Sequence, residues 1–201
     1  MTTRTKKYRI VLCGDADTGK TVFLHRIVKN IYEPETFSTI GVDFQTKTVT
    51  HCGFPCALQF WDTAGRPSFR DITTSYFKGT SVFLLFYDIG RRCTFDALHT
   101  WIPLIKSRVE TPIIFLVGTK LDGTREIMVE EAGAFALTHG AFWADVSSKT
   151  GEGFAELETR ILKRLERFCP KRTDWEEPSL PTLSTYTQKP LWITYLRSWL
   201  L

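Results

Sequence analysis

Long apolar runs are missing from this chain. A membrane-spanning helix needs about 20 apolar residues, and no stretch of the 201 residues provides one. Met1 to Arg9 is polar and basic without an apolar segment, so no secretory signal is expected. Cysteine is scarce, with five in the chain. The spacings of Cys13, Cys52, Cys56, Cys93 and Cys169 fit neither a zinc ribbon nor a disulfide framework. They read as reduced thiols of a cytosolic protein. No internal repeat is visible, and no strong excess of one charge. The formal charge of +4 permits contact with an acidic surface without arguing for it, and no nucleic-acid partner is expected.

What is present is the composition of an ordinary soluble protein, long enough for one full core with an appendage. Strands and helices alternate. Strands are expected at Tyr8–Leu12, Val42–Thr50, Pro55–Trp61, Val82–Tyr87, Ile113–Val117 and Phe142–Val146. Helices are expected at Lys20–Asn30, near Ser68–Phe77, and at Thr94–Arg108, Val129–His139 and Gly153–Phe168. Val82–Phe86 and Ile113–Val117 are apolar without alternation, as strands covered on both faces are. Val42–Thr50 alternates instead and reads as an edge strand, paired antiparallel with the next through a Cys52-Gly53 turn. The expected class is α/β: a six-stranded, mostly parallel sheet with about five helices on its two faces. Composition shifts at Cys169-Pro170. The expected organisation is a folded domain over 7–169, a Pro/Ser/Thr-rich linker over 170–190 and an apolar aromatic tail over 191–201.

The tail holds Trp192 and Trp199. As a helix it would leave one narrow polar face at Thr194, Arg197 and Ser198. Three readings stand for it: peripheral contact with a membrane, packing into a groove of the domain or of a partner, or no special role. No C-terminal prenylation motif is read, since the last cysteine is Cys169.

The centre of the chain's chemistry is Gly14-Asp15-Ala16-Asp17-Thr18-Gly19-Lys20-Thr21, which fits G-x-x-x-x-G-K-[ST]. An expected strand precedes it and an expected helix follows it, as a phosphate-binding loop requires. The glycines let backbone N–H groups approach an anion, and the helix start adds its positive dipole end. Lys20 would reach the β- and γ-phosphates, and the Thr21 hydroxyl would ligate Mg²⁺. Asp15, Ala16, Asp17, Thr18, Gly19, Lys20, Thr21 and Val22 are the candidate contacts of this loop. Alone, it says nucleoside triphosphate and leaves base and reaction open.

Three further motifs follow strand ends, where ligands of open α/β sheets sit. Trp61-Asp62-Thr63-Ala64-Gly65 offers a carboxylate at Asp62 for Mg²⁺ and a small residue at Gly65 whose N–H can approach a γ-phosphate. In Thr119-Lys120-Leu121-Asp122, Asp122 can accept two hydrogen bonds from the N–H edge of guanine, an edge adenine lacks, while Lys120 lies along the base. In Ser147-Ser148-Lys149, a backbone N–H can meet guanine O6 and Lys149 can cover the other face. These motifs and the lack of an Arg-rich lid disfavour a nucleotide kinase.

Over about Lys7 to Cys169 the chain resembles the Ras superfamily of small GTPases, and within it the Rab branch. Besides the motifs above, the residues carrying the resemblance are Ser38-Thr39-Ile40-Gly41-Val42-Asp43-Phe44, Gln59-Phe60-Trp61, Tyr76-Phe77-Lys78-Gly79 and Tyr87-Asp88-Ile89. The resemblance implies a switch that binds GTP or GDP with Mg²⁺, metal ligation by Thr39 beside Thr21 and Asp62, and Tyr32 against the guanine. It also implies two switch loops ordered by GTP, effectors reading a patch at Phe44, Trp61 and Phe77, an exchange factor and a GTPase-activating protein. It places the protein in the cytoplasm, on the cytosolic face of an endomembrane in vesicle traffic.

The chain departs from the pattern at Arg66-Pro67, where the family has Gln-Glu. The glutamine orients the attacking water. Arginine has donors only and cannot accept a hydrogen bond from that water. With Lys20 and Gly65 intact as catalytic-site residues, slow hydrolysis is expected. The competing readings are a GTP-loaded or hydrolysis-deficient scaffold, and a surface Arg66 with the glutamine supplied by a partner. Asp17 places a carboxylate near the triphosphate and is expected to point outward. Thr119 replaces the commoner asparagine, with guanine specificity expected to survive.

Overall fold

The computed structural model describes residues 5–34, 39 and 41–168. The segments 170–190 and 191–201, read above as linker and tail, lie outside the described residues.

Six strands form one sheet: β1 (Lys6–Gly14), β2 (Val42–His51), β3 (Phe54–Thr63), β4 (Val82–Asp88), β5 (Ile114–Thr119) and β6 (Phe142–Asp145). Their order is β2-β3-β1-β4-β5-β6. Only the β2–β3 pair is antiparallel; β1–β3, β1–β4, β4–β5 and β5–β6 are all parallel. The six strands and the antiparallel edge are those the sequence predicts.

Because successive side chains of a strand point to opposite faces, each continuous apolar run divides between two cores. Ile10, Leu12, Leu84, Phe86, Phe115 and Val117 face one side with Phe23 and Leu24 of α1 (Lys20–Lys29) and Leu157 and Ile161 of α6 (Phe154–Leu165). Val11, Cys13, Phe83, Leu85, Tyr87 and Leu116 face the other side, under α3 (Arg92–Asp96), α4 (Leu98–Lys106) and α5 (Val129–His139). The uninterrupted burial of β4 and β5 follows, since each covers both cores. β2 lies at the edge and from Phe44 alternates between exposed and half-buried positions until His51.

The helix expected over Thr94–Arg108 is two helices, which with α2 (Arg70–Ser75) makes six among the described residues, where about five were expected. Pro103 lies inside α4. It has no N–H to give the preceding turn, and its ring crowds that turn. At the junction the chain tightens: the amides of Thr100 and Trp101 both donate to the Ala97 carbonyl, at 2.9 and 3.2 Å.

Cys13, Cys56 and Cys93 are free thiols, as expected. Cys52, at the β2–β3 turn, is disulfide-bonded, which corrects the reading of all five cysteines as thiols. No described helix is long and apolar enough to cross a membrane.

Candidate functional site

The parallel strands β1, β3, β4, β5 and β6 all end at one edge of the sheet, and the motifs leave from there. At the end of β1, Gly14 has φ +130°, and a Cβ on it would lie 2.5 Å from the Phe86 carbonyl oxygen. Only glycine lets the chain turn so close to its neighbour strand. The loop then curls back to α1, whose first residue is Lys20.

Lys20 is buried, and its Nζ donates to the carbonyls of Gly14 (3.0 Å) and Asp15 (2.7 Å) and, more weakly, to Thr18 Oγ1 (3.4 Å). The ammonium thus holds the loop's own carbonyls. Burial pushes its pKa down, against the charge of Asp62, Cys13, Asp15 and Asp17. The Thr18 hydroxyl donates to Asp15 O at 2.9 Å. Asp17 is exposed, as expected of a carboxylate beside a phosphate site, and its carbonyl accepts from Lys120 Nζ at 3.2 Å. Ala16 and Val22 are half-buried in the loop and on the first turn of α1.

Thr21, Thr39 and Asp62 come from α1, the segment after it and the end of β3. They converge. Asp62 Oδ2 accepts the Thr21 hydroxyl at 2.6 Å and the Thr39 hydroxyl at 3.4 Å, and the two hydroxyls lie 2.9 Å apart. Asp62 is fully buried, and its Oδ1 has no hydrogen-bond partner among the described residues. Burial raises the carboxyl's pKa, while the Thr21 hydrogen bond and the Lys20 charge pull it down. A buried carboxylate with an orphaned oxygen and two hydroxyls at hand suits a hard divalent cation, which prefers oxygen ligands. The residues fit Mg²⁺.

Gly65 is pressed against the phosphate loop: a Cβ there would lie 2.5 Å from both Ala16 N and the Asp15 carbonyl carbon. Those are backbone atoms and cannot yield. Arg66 follows with its side chain exposed, and its carbonyl accepts the Phe69 amide at 3.0 Å. Pro67 opens the short 3₁₀ turn Pro67–Phe69 that leads into α2. The Arg66 guanidinium makes no hydrogen bond or ion pair among the described residues.

The two segments expected to read the base also meet. Asp122 Oδ1 accepts the Ser147 hydroxyl at 2.6 Å, and Lys149 Nζ lies 4.0 Å from Asp122 Oδ2. The Ser147 amide donates to Glu152 O at 3.0 Å, so it is not the N–H for guanine O6; the following residues, Ser148 and Lys149, remain as candidates. Thr119 is buried, and its hydroxyl donates to the carbonyls of Thr18 (2.8 Å) and Tyr87 (3.0 Å). It ties the base-reading segment to the phosphate loop. Tyr32 is exposed on the segment after α1.

Two features escaped sequence reasoning. Lys120 Nζ pairs with Asp88 Oδ2 at 2.6 Å; Asp88 stands in the Tyr87-Asp88-Ile89 motif, which gave a signal without a role. Behind the base-reading loop, Asp145 Oδ1 accepts Tyr87 Oη–H (3.2 Å) and Trp143 Nε1–H (3.0 Å), and Asp145 Oδ2 pairs with Arg125. A Cβ on Gly118 would collide with this cluster, at 2.8 Å from the Tyr87 hydroxyl. No local pattern announces that network.

The aromatic patch needs one correction. Phe77 is fully buried, its ring 5.0 Å from that of Phe83, so it is core. The surface aromatic is its neighbour Tyr76, half-buried, with its ring 5.4 Å from that of Trp61; the ring of Phe44, 44% exposed, lies 4.8 Å from that of Trp61. Arg9 caps the Trp61 ring at 4.6 Å. Residues 76 and 77 follow the end of α2, and adjacent positions there point to opposite sides. Phe77→Ala is expected to lower stability by about 3–5 kcal/mol, and Phe44→Ala by under about 1 kcal/mol. Thermal or denaturant unfolding of the two variants gives the comparison, and the reverse order would restore Phe77 to the surface patch.

Known proteins place this geometry. A Ras family sequence model matches residues 9–167. The Ras-related protein RABA3 of Arabidopsis thaliana is 35% identical over 162 residues, covering 79% of this chain and 68% of that protein. The Ras and EF-hand domain-containing protein of Xenopus tropicalis is 36% identical over 179 residues, covering 84% of this chain, and its Mus musculus homolog is 35% identical over 197 residues, covering 93%. This chain spans 25% and 31% of the lengths of those two proteins. The phosphate loop, the oxygen cluster at Asp62 and the carboxylate at Asp122 therefore lie within the matched region, and the chain belongs to the Ras family of small GTPases.

Proposed function

We propose that this chain is a Rab-like guanine-nucleotide switch acting in vesicle traffic, which binds effectors in its Mg²⁺·GTP form and hydrolyses GTP slowly. The observation that carries the switch reading is the meeting of Thr21, Thr39 and Asp62 from three separate segments. Thr39 belongs to the segment between α1 and β2. A bound metal and γ-phosphate would fix that segment, and loss of the γ-phosphate would release it. When bound, Mg²⁺ neutralises charge on the β- and γ-phosphates. Lys20 adds its ammonium there, and Asp122, steadied by Ser147, reads guanine. An effector would read Phe44, Trp61 and Tyr76, a cluster of the aromatic kind that protein interfaces favour. The Rab-like motifs and the similarity to RABA3 support placing it among traffic switches.

Slow hydrolysis rests on Arg66. Its guanidinium can face negative charge but has no acceptor for the attacking water. That residue also supports a second reading, a scaffold that stays loaded with GTP. Analysis of the nucleotide carried through purification separates these. Bound GTP is the expected result. Predominant GDP would show an active hydrolase, and an empty protein would remove the switch reading.

A further inference from the structure

Asp15 belongs to the phosphate loop through its backbone, but its side chain has separate work. Its Oδ1 accepts the indole N–H of Trp101 at 2.9 Å and lies 3.5 Å from Nη2 of Arg70. The Arg70 guanidinium carbon stands 5.4 Å from the Trp101 ring centroid. Three segments meet here: the loop, the first residue of α2 and the middle of α4. Trp101 is fully buried, and a buried indole N–H requires an acceptor. The acceptor it has is the carboxylate of a residue whose own carbonyl is gripped by Lys20. Asp15 is thus tied at both ends, and Gly65 packs on its carbonyl carbon. The two side-chain links differ in kind. The Trp101 bond has ordinary hydrogen-bond length, whereas the Arg70 contact is at the outer limit and acts as charge. Arg70 Nε is buried without a partner among the described residues, and the guanidinium's contacts there are with Asp15 and Trp101.

We propose that Asp15 and Trp101 are positioning residues for the bound nucleotide. Their bond holds the phosphate loop in the shape that presents Lys20, and Arg70 extends that hold to the Gly65–Arg70 segment. Breaking the bond speeds nucleotide release. The proposal rests on the guanine-nucleotide reading above.

Stopped-flow release of a fluorescent GDP analogue from the full-length protein in Mg²⁺ tests it. Asp15→Ala and Trp101→Phe are each expected to speed release about tenfold, the scale of losing a buried hydrogen bond to a charged group. The double variant should release no faster than Asp15→Ala alone, because that change already removes the bond to Trp101. Two independent structural injuries would instead multiply to about 100-fold, and that result overturns the proposal. Arg70→Ala, at a partly exposed side chain, is a milder probe that does not depend on Trp101→Phe folding. It should speed release about threefold, and add nothing in the Asp15→Ala background. Variants that release at the wild-type rate overturn the proposal alone. A wild type that holds no labelled GDP overturns the nucleotide reading as well.

Discussion

Lys20→Ala is expected to lower guanine-nucleotide affinity by at least about 100-fold, since it removes charge-assisted hydrogen bonds to two phosphates, each of about 1.5–3 kcal/mol. The structure adds a second loss. The ammonium bonds the Gly14 and Asp15 carbonyls, so alanine would leave two inward-facing carbonyls without their donor and the loop without its clasp. It would also leave Asp62, whose carboxylate the Lys20 charge favours, with a weaker claim to ionisation and hence to Mg²⁺. Titration with labelled GDP and GTP measures the effect. A loss under about threefold would mean that phosphate binding does not depend on Lys20.

Arg66→Gln is expected to raise single-turnover GTP hydrolysis by at least about tenfold, as a water-orienting acceptor enters beside Gly65. Nothing in the backbone opposes the exchange. Residue 66 sits in ordinary extended geometry, at φ −72° and ψ 140°, and its carbonyl rather than its side chain caps the following turn. The Arg66 side chain is exposed, so glutamine meets no packing penalty. Pro67 stays in place and opens the 3₁₀ turn in both proteins. Equal rates in the two proteins would sink the slow-hydrolysis reading and leave Arg66 as a surface residue, with the glutamine supplied by a partner.

Much of this was legible in the sequence because it depends on near neighbours. Gly14 is required by a turn against β4, Lys20 by the helix start that follows it, and the unbroken apolar runs of β4 and β5 by burial on two faces. Pairs within one motif were less legible. Adjacent aromatics at 76 and 77 look alike in composition, and only the packing of Phe77 against Phe83 decides which is core. The single helix expected over Thr94–Arg108 missed the interruption at Ala97, because no glycine or proline marks that junction, and Pro103 lies within α4 rather than at the break.

The sequence by itself determined the chemical inventory: a phosphate-loop pattern with its lysine and threonine, carboxylates at Asp62 and Asp122 proposed for a metal and for guanine, and an arginine where the family pattern has glutamine. These are properties of residue type and local spacing. The tertiary structure alone decided which of those groups touch. Thr21 and Asp62 are 41 residues apart in the chain, Asp122 and Ser147 are 25 apart, and Asp15 and Trp101 are 86 apart. Such pairs exist because parallel strands end at one edge of a sheet and helices pack across it. A partner chosen that way leaves no trace in the residues on either side.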